Sequence, residues 1–91
     1  MVYLMNKNRY LFSFEDLSMI DMEKIEDCRI ANNLDDAHSF ISSDLNIDIE
    51  EIKMIDPYLI TYSEQGFKIH YDNRYIQHVD DIYNFINDYI E

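Results

Sequence analysis

The stretch Tyr58-Leu59-Ile60-Thr61-Tyr62-Ser63-Glu64-Gln65-Gly66-Phe67-Lys68-Ile69-His70-Tyr71-Asp72 decides the fold. Apolar residues fall at every second position in each half: Tyr58, Ile60 and Tyr62, then Phe67, Ile69 and Tyr71. Period two puts each trio on one face of a strand. Between them, Glu64, Gln65 and the chain's single glycine, Gly66, interrupt the pattern, which predicts a hairpin. A four-residue loop at 63–66 pairs Tyr62 with Phe67, whereas a two-residue Gln65–Gly66 loop pairs Tyr62 with Ile69. Both registers keep the same apolar set together, so the face assignment does not depend on the turn. The opposite face, Leu59, Thr61, Ser63, Lys68, His70 and Asp72, is expected to meet solvent.

On the C-terminal side, Asp72–Asn73 can turn the chain into a third strand near 74–78. A helix then follows over about 80–90. Its apolar stripe is Val79, Ile82, Tyr83, Ile86 and Ile90, widened by Phe85 and Tyr89. Asp80, Asn84, Asn87, Asp88 and Glu91 form its other side.

On the N-terminal side, Pro57 suits the start of a strand. Asp48 and Glu51 have capping-box spacing, which predicts one helical turn at 49–53. Residues 34–45 read as a helix: Asn33 caps it, Asp35 and Asp36 favour its first turn, and Leu34, Ala37, Ile41 and Leu45 form a stripe with Phe40 beside it. Residues 15–28 carry two more capping-box spacings, Ser13 with Asp16 and Ser18 with Asp21. Their stripe of Leu17, Ile20, Ile25 and Cys28 is imperfect, so one broken helix or two short ones are expected, with 28–31 extended. Residues 9–14 read as a strand with Tyr10, Phe12 and Phe14 on one face, and 2–5 as its hairpin partner across Asn6–Asn8. The expected fold is α+β: a small antiparallel sheet of three to five strands with two or three helices packed on one face, all in a single compact acidic domain, residues 1–91.

Charge is the other dominant feature. Nineteen acids against seven Lys and Arg give a net charge of −12. A small domain needs a magnitude of only about 2–8 for solubility, and more adds self-repulsion. Codon bias does not explain the imbalance. A chain rich in Ile, Asn and Tyr from an AT-rich source should also be rich in Lys, yet 4 Lys stand beside 8 Asn. Halophilic adaptation fits poorly with so much Ile and aromatic content. The acid is also segregated. Residues 15–51 hold twelve acids against Lys24 and Arg29, and residues 75–91 hold Asp80, Asp81, Asp88 and Glu91 unopposed. Residues 52–74 are neutral, and 1–14 carry only Lys7 and Arg9.

Several chemistries lack their signature. One glycine cannot build a phosphate-cradling loop. Cys28 sits among Glu26 and Asp27, which disfavour a thiolate, so it reads as a structural thiol. His70, Asp72 and His78 would meet across adjacent strands, but zinc sites show denser His/Cys spacing, and no metal or other cofactor is assigned. The pairs Asp35–Asp36, Glu50–Glu51 and Asp80–Asp81 lie outside any calcium-loop pattern. With nineteen acids such pairs arise by chance, so no catalytic residues and no enzyme are expected. Direct nucleic-acid binding is disfavoured for want of a basic patch. Met1–Phe14 has its charge in the middle, the wrong order for a secretory signal. No apolar run nears the roughly 20 residues of a membrane span, so no membrane contact is expected. One cysteine makes no internal disulfide. A cytoplasmic location follows, the host cytoplasm if the chain is phage-encoded.

The remaining expectation is a basic protein partner. In size and charge the chain resembles the small acidic inhibitors encoded by phages and mobile elements, namely nucleic-acid mimics, anti-CRISPR proteins and anti-restriction proteins. That resemblance implies stoichiometric binding to a nuclease or other nucleic-acid-binding effector. The partner-binding residues are expected to be Asp35, Asp36, Asp44, Asp48, Glu50, Glu51, Asp80, Asp81, Asp88 and Glu91, the two helical acidic blocks together forming the surface. The alternatives are an immunity or antitoxin protein against a basic toxin, and a structural module that homodimerises through its open sheet face. Tyr is enriched at interfaces. It also suits the rim of a thin core, the reading given to Tyr58, Tyr62 and Tyr71, while Tyr3 and Tyr75 are less constrained.

Overall fold

A computed structural model of the chain describes residues 1–18, 20–46, 48–52, 57–70 and 74–90. Among these, six strands form one sheet: β1 (Val2–Met5), β2 (Leu11–Phe14), β3 (Arg29–Ala31), β4 (Tyr58–Ser63), β5 (Gly66–Ile69) and β6 (Arg74–Ile76). Helices α1 (Leu34–Leu45) and α2 (Ile49–Ile52) lie between β3 and β4, and α3 (Val79–Asp88) follows β6. The α+β class holds. The sheet is larger than the three to five strands expected from the sequence, because the short β3 joins it beside β1.

The strand order is β3-β1-β2-β4-β5-β6. Neighbours pair antiparallel except β2 and β4, which are parallel, with Phe12 opposite Tyr58 and Phe14 opposite Ile60. The sheet is therefore mixed rather than purely antiparallel. A parallel pair needs a long crossover, and residues 15–57 supply it.

The hairpin takes the register that sets Tyr62 opposite Phe67 and Ile60 opposite Ile69, with pairing extended to Ser63 and Gly66. Only Glu64 and Gln65 remain in the turn, and neither has a positive φ. Gly66 follows at φ +107°, the position that a glycine fills after such a turn. The β5–β6 side adds a second constraint, since a Cβ on Gly66 would lie 2.5 Å from the Ile76 carbonyl oxygen.

The helices do not share one face, contrary to the sequence expectation. Leu4, Phe12, Phe14, Ile60, Phe67 and Ile69 point to the first face and pack with Ile82, Tyr83 and Ile86 of α3 and with Ile20 and Ile25 of the crossover. Met5, Leu11 and Ala31 point to the second face and pack with Ala37 and Ile41 of α1. The cause lies in β2, where all four residues are buried. Leu11 and Phe12 are apolar in succession, so the strand needs cover on both sides, as a central strand does. Each fully buried Ile, Leu or Phe of this core contributes about 1.5–3 kcal/mol of burial free energy.

Among the described residues of 15–28, the helical ones are those of a 3-10 turn at Met22–Lys24. Ser13 lies buried in β2 and cannot cap a helix. Asp16 instead accepts from the Ser18 backbone N–H at 2.8 Å and the Ser18 hydroxyl at 2.9 Å, and Asp21 accepts from the Glu23 N–H at 3.1 Å. These local bonds compete with a helix. Leu17, Ile20, Met22, Ile25 and Cys28 still reach the first-face core.

Candidate functional site

α1 begins as its sequence dictates. The Asn33 side chain accepts from the Asp36 N–H at 2.8 Å and donates to the Asp36 carboxylate at 3.1 Å. Asp35 and Asp36 are exposed in the first turn. Asp44 falls in the last turn of α1. Asp48 caps α2 by accepting from the Glu50 N–H at 3.0 Å, and Asp48, Glu50 and Glu51 are exposed. Asp80 and Asp81 are exposed in the first turn of α3, and Asp88 is exposed at its end. Glu91 lies outside the described residues, as do Tyr71 and Asp72.

α1 and α3 cover opposite faces of the sheet, so Asp35 and Asp36 stand on one side of the molecule and Asp80, Asp81 and Asp88 on the other. The two acidic helices do not combine into one surface. α3 instead gains its acidic neighbours from the crossover. The Tyr83 hydroxyl accepts from the Asp21 N–H at 2.8 Å. Asn87 accepts from the Glu26 N–H at 3.0 Å and donates to the Lys24 carbonyl at 3.0 Å. These bonds lay the segment carrying Asp21, Glu23, Glu26 and Asp27 along α3.

The cations in this layer are few. Lys7 Nζ lies 3.6 Å from Asp88 and 4.0 Å from Glu26. Lys24 Nζ sits 5.3 Å from the centre of the Tyr83 ring. Exposed pairs of this kind contribute about 0–1 kcal/mol and leave the field negative. Asp35, Glu23, Asp80 and Asp81 make no ion pair among the described residues. Sequence reasoning missed Asp21, Glu23, Glu26 and Asp27 as companions of α3. The available signal was the absence of a clean helical stripe in 15–28, which argued for a chain laid flat on the core.

The other chemically active side chains are placed as follows. Cys28 is half-buried with Sγ 4.0 Å from the Ile25 carbonyl oxygen. Burial pushes its thiol pKa up, and the Asp27 carboxylate adds to the effect, which is opposite to what a nucleophile needs. His70 Nε2 lies 2.9 Å from the Thr61 hydroxyl. His38 is buried in α1, and neither ring nitrogen has a hydrogen-bond partner among the described residues. Among the described residues no three His, Cys, Asp or Glu side chains converge to hold a metal ion, and no helix is long and apolar enough to cross a membrane.

The fold and surface thus define a small α+β domain with a mixed six-stranded sheet and exposed acids on both sides. No protein-family model matches the chain, and no curated protein or solved structure matches it significantly.

Proposed function

We propose that this chain is a stoichiometric acidic inhibitor that binds a basic, nucleic-acid-binding protein and occupies its nucleic-acid site, in the manner of phage and mobile-element mimics. The observation that carries this reading is the acidic layer along α3. Asp21, Glu23, Glu26, Asp27, Asp80, Asp81 and Asp88 are exposed there and outnumber the cations near them among the described residues: Lys7, Lys24, Arg9 and Arg29 beside Asp27, and Arg74 over the Phe85 ring. Asp80 and Asp88 are eight residues apart in one helix, about 12 Å along its axis. That span matches the axial rise of about three to four phosphates in a DNA strand. A basic groove evolved for phosphates would meet carboxylates over a comparable length, and the opposite fields would speed encounter.

The test is binding to a purified basic nuclease or repressor, read by calorimetry at several salt concentrations with and without its DNA. Affinity should fall steeply with salt, and DNA should compete. Neutralising Asp21, Glu23, Glu26 and Asp27 together to Asn and Gln should weaken binding more than neutralising Asp35 and Asp36. Salt-independent binding, or a ternary complex with the DNA, would sink the mimic.

A further inference from the structure

We infer that the cavity between the 6–9 turn and β3 is a binding site for a phosphate group, carried by a small molecule or free in solution. The cavity, about 350 Å³, is lined by Met5, Asn6, Lys7, Arg9, Asp27 and Arg29. Three of the chain's seven cationic residues line it, against one carboxylate. At its rim Lys7 is drawn to acids, Asp88 at 3.6 Å and Glu26 at 4.0 Å. Arg9 is instead exposed and makes no hydrogen bond or ion pair through its side chain among the described residues.

The backbone holds this arrangement at a cost. Arg9 (φ 68°) and Asp27 (φ 46°) both adopt the left-handed conformation, which non-glycine residues seldom take. Strain of this kind persists where the surroundings fix it and clusters at binding sites. Here Asn6 fixes it. Its buried side chain accepts from the Asn8 N–H at 3.0 Å and the Tyr10 N–H at 2.9 Å, while its backbone carbonyl accepts from the Arg9 N–H at 3.0 Å. The turn that carries Lys7 and Arg9 is therefore set before any ligand arrives, which lowers the cost of binding. Arg29 enters from β3, oriented by the Phe40 ring 5.9 Å away.

Guanidinium groups recognise phosphate through paired, charge-assisted bonds, with Lys7 as a further point charge. The ligand must be small, because the −12 field of the whole chain repels an extended polyanion while a local contact survives within a Debye length of about 8 Å.

The experiment is a backbone-amide NMR titration with inorganic phosphate and, separately, phenyl phosphate, at ionic strength held constant with sodium chloride. Saturable shifts confined to residues 5–9 and 27–29 are expected. Tighter binding of phenyl phosphate assigns the site to phosphorylated small molecules, and tighter binding of the free ion assigns it to phosphate. Arg9→Gly accepts the left-handed backbone without strain and should weaken binding by about tenfold or more. Arg29→Lys keeps the charge, loses the fork and should also weaken it. Linear shifts spread over the chain, or unchanged binding in a folded R9G, would overturn the assignment.

Discussion

The side-chain amide of Asn6 donates to the backbone carbonyl of Ile86 at 2.6 Å, joining residues eighty positions apart. α3 has no basic residue in its last turn, and its final carbonyls lack helical partners. Asn6 satisfies one, and Asn8 donates to the Tyr89 carbonyl at 3.3 Å. Asn6 thereby ties the β1–β2 turn to the end of α3. Asn6→Ala removes three side-chain bonds from a buried site and should cost about 3 kcal/mol. Urea denaturation measures it, and a loss below about 1 kcal/mol would contradict this role.

Gly66→Ala should destabilise by at least about 2 kcal/mol. Its φ of +107° is costly for any L residue, and the added methyl meets the Ile76 carbonyl. Thermal melting should show a clear drop, whereas Gln65→Ala, in the turn itself, should stay near wild type.

His38→Leu should stabilise the fold. His38 is 2% exposed and both ring nitrogens lack partners among the described residues, so it carries an uncompensated desolvation cost of about 1–3 kcal/mol. Chemical denaturation should move to higher urea with an unchanged slope. A lower midpoint would mean that the imidazole is contributing something a leucine cannot replace.

Salt should raise the melting temperature even as it weakens binding to a basic partner. A net charge of −12 with few ion pairs leaves self-repulsion in the folded state, and salt screens it. A fall in melting temperature between low and moderate sodium chloride would argue that the pairs around Lys7 outweigh the repulsion.

The Cys28 thiol holds its proton more tightly in the folded chain than in the unfolded one, because burial and then Asp27 oppose the thiolate. Its raised pKa therefore favours folding fully below the ordinary thiol value of about 8.5. The contribution is lost as pH rises through the folded value. Alkylation by iodoacetamide should show a midpoint at higher pH in native protein than in urea, and equal midpoints would refute the shift.

Much of this was legible in the sequence, and the rest was not for identifiable reasons. Asn33 and the residues after it mark both ends of α1 at Leu34 and Leu45 because capping and stripe are local signals. The β4–β5 hairpin follows from period two. The parallel pairing of Phe12 with Tyr58 has no local signature, since it joins strands across the whole crossover. The two-sided sheet was written in Leu4-Met5 and Tyr10-Leu11-Phe12, where apolar residues stand in succession, but the alternation of Tyr10, Phe12 and Phe14 masked it. Exposure of Asp35, Asp36, Asp80, Asp81 and Asp88 could be read from their place opposite the helical stripes. Their grouping depends on which face each helix takes, and only tertiary packing decides that.

The parallel ladder between β2 and β4 also governs how the chain reaches this state. On either side of that seam the pairing is antiparallel, β3-β1-β2 on one side and β4-β5-β6 on the other. The β1–β2 and β4–β5 hairpins close through short turns and can form early. The seam must wait for the excursion of residues 15–57 to close, a non-local step that slows folding. α3 spans it, with Ile82 and Ile86 in the same cluster as Leu4 and Phe12 from one half and Ile60 and Ile69 from the other. Docking of that last helix is what turns two separate antiparallel halves into a single cooperative unit.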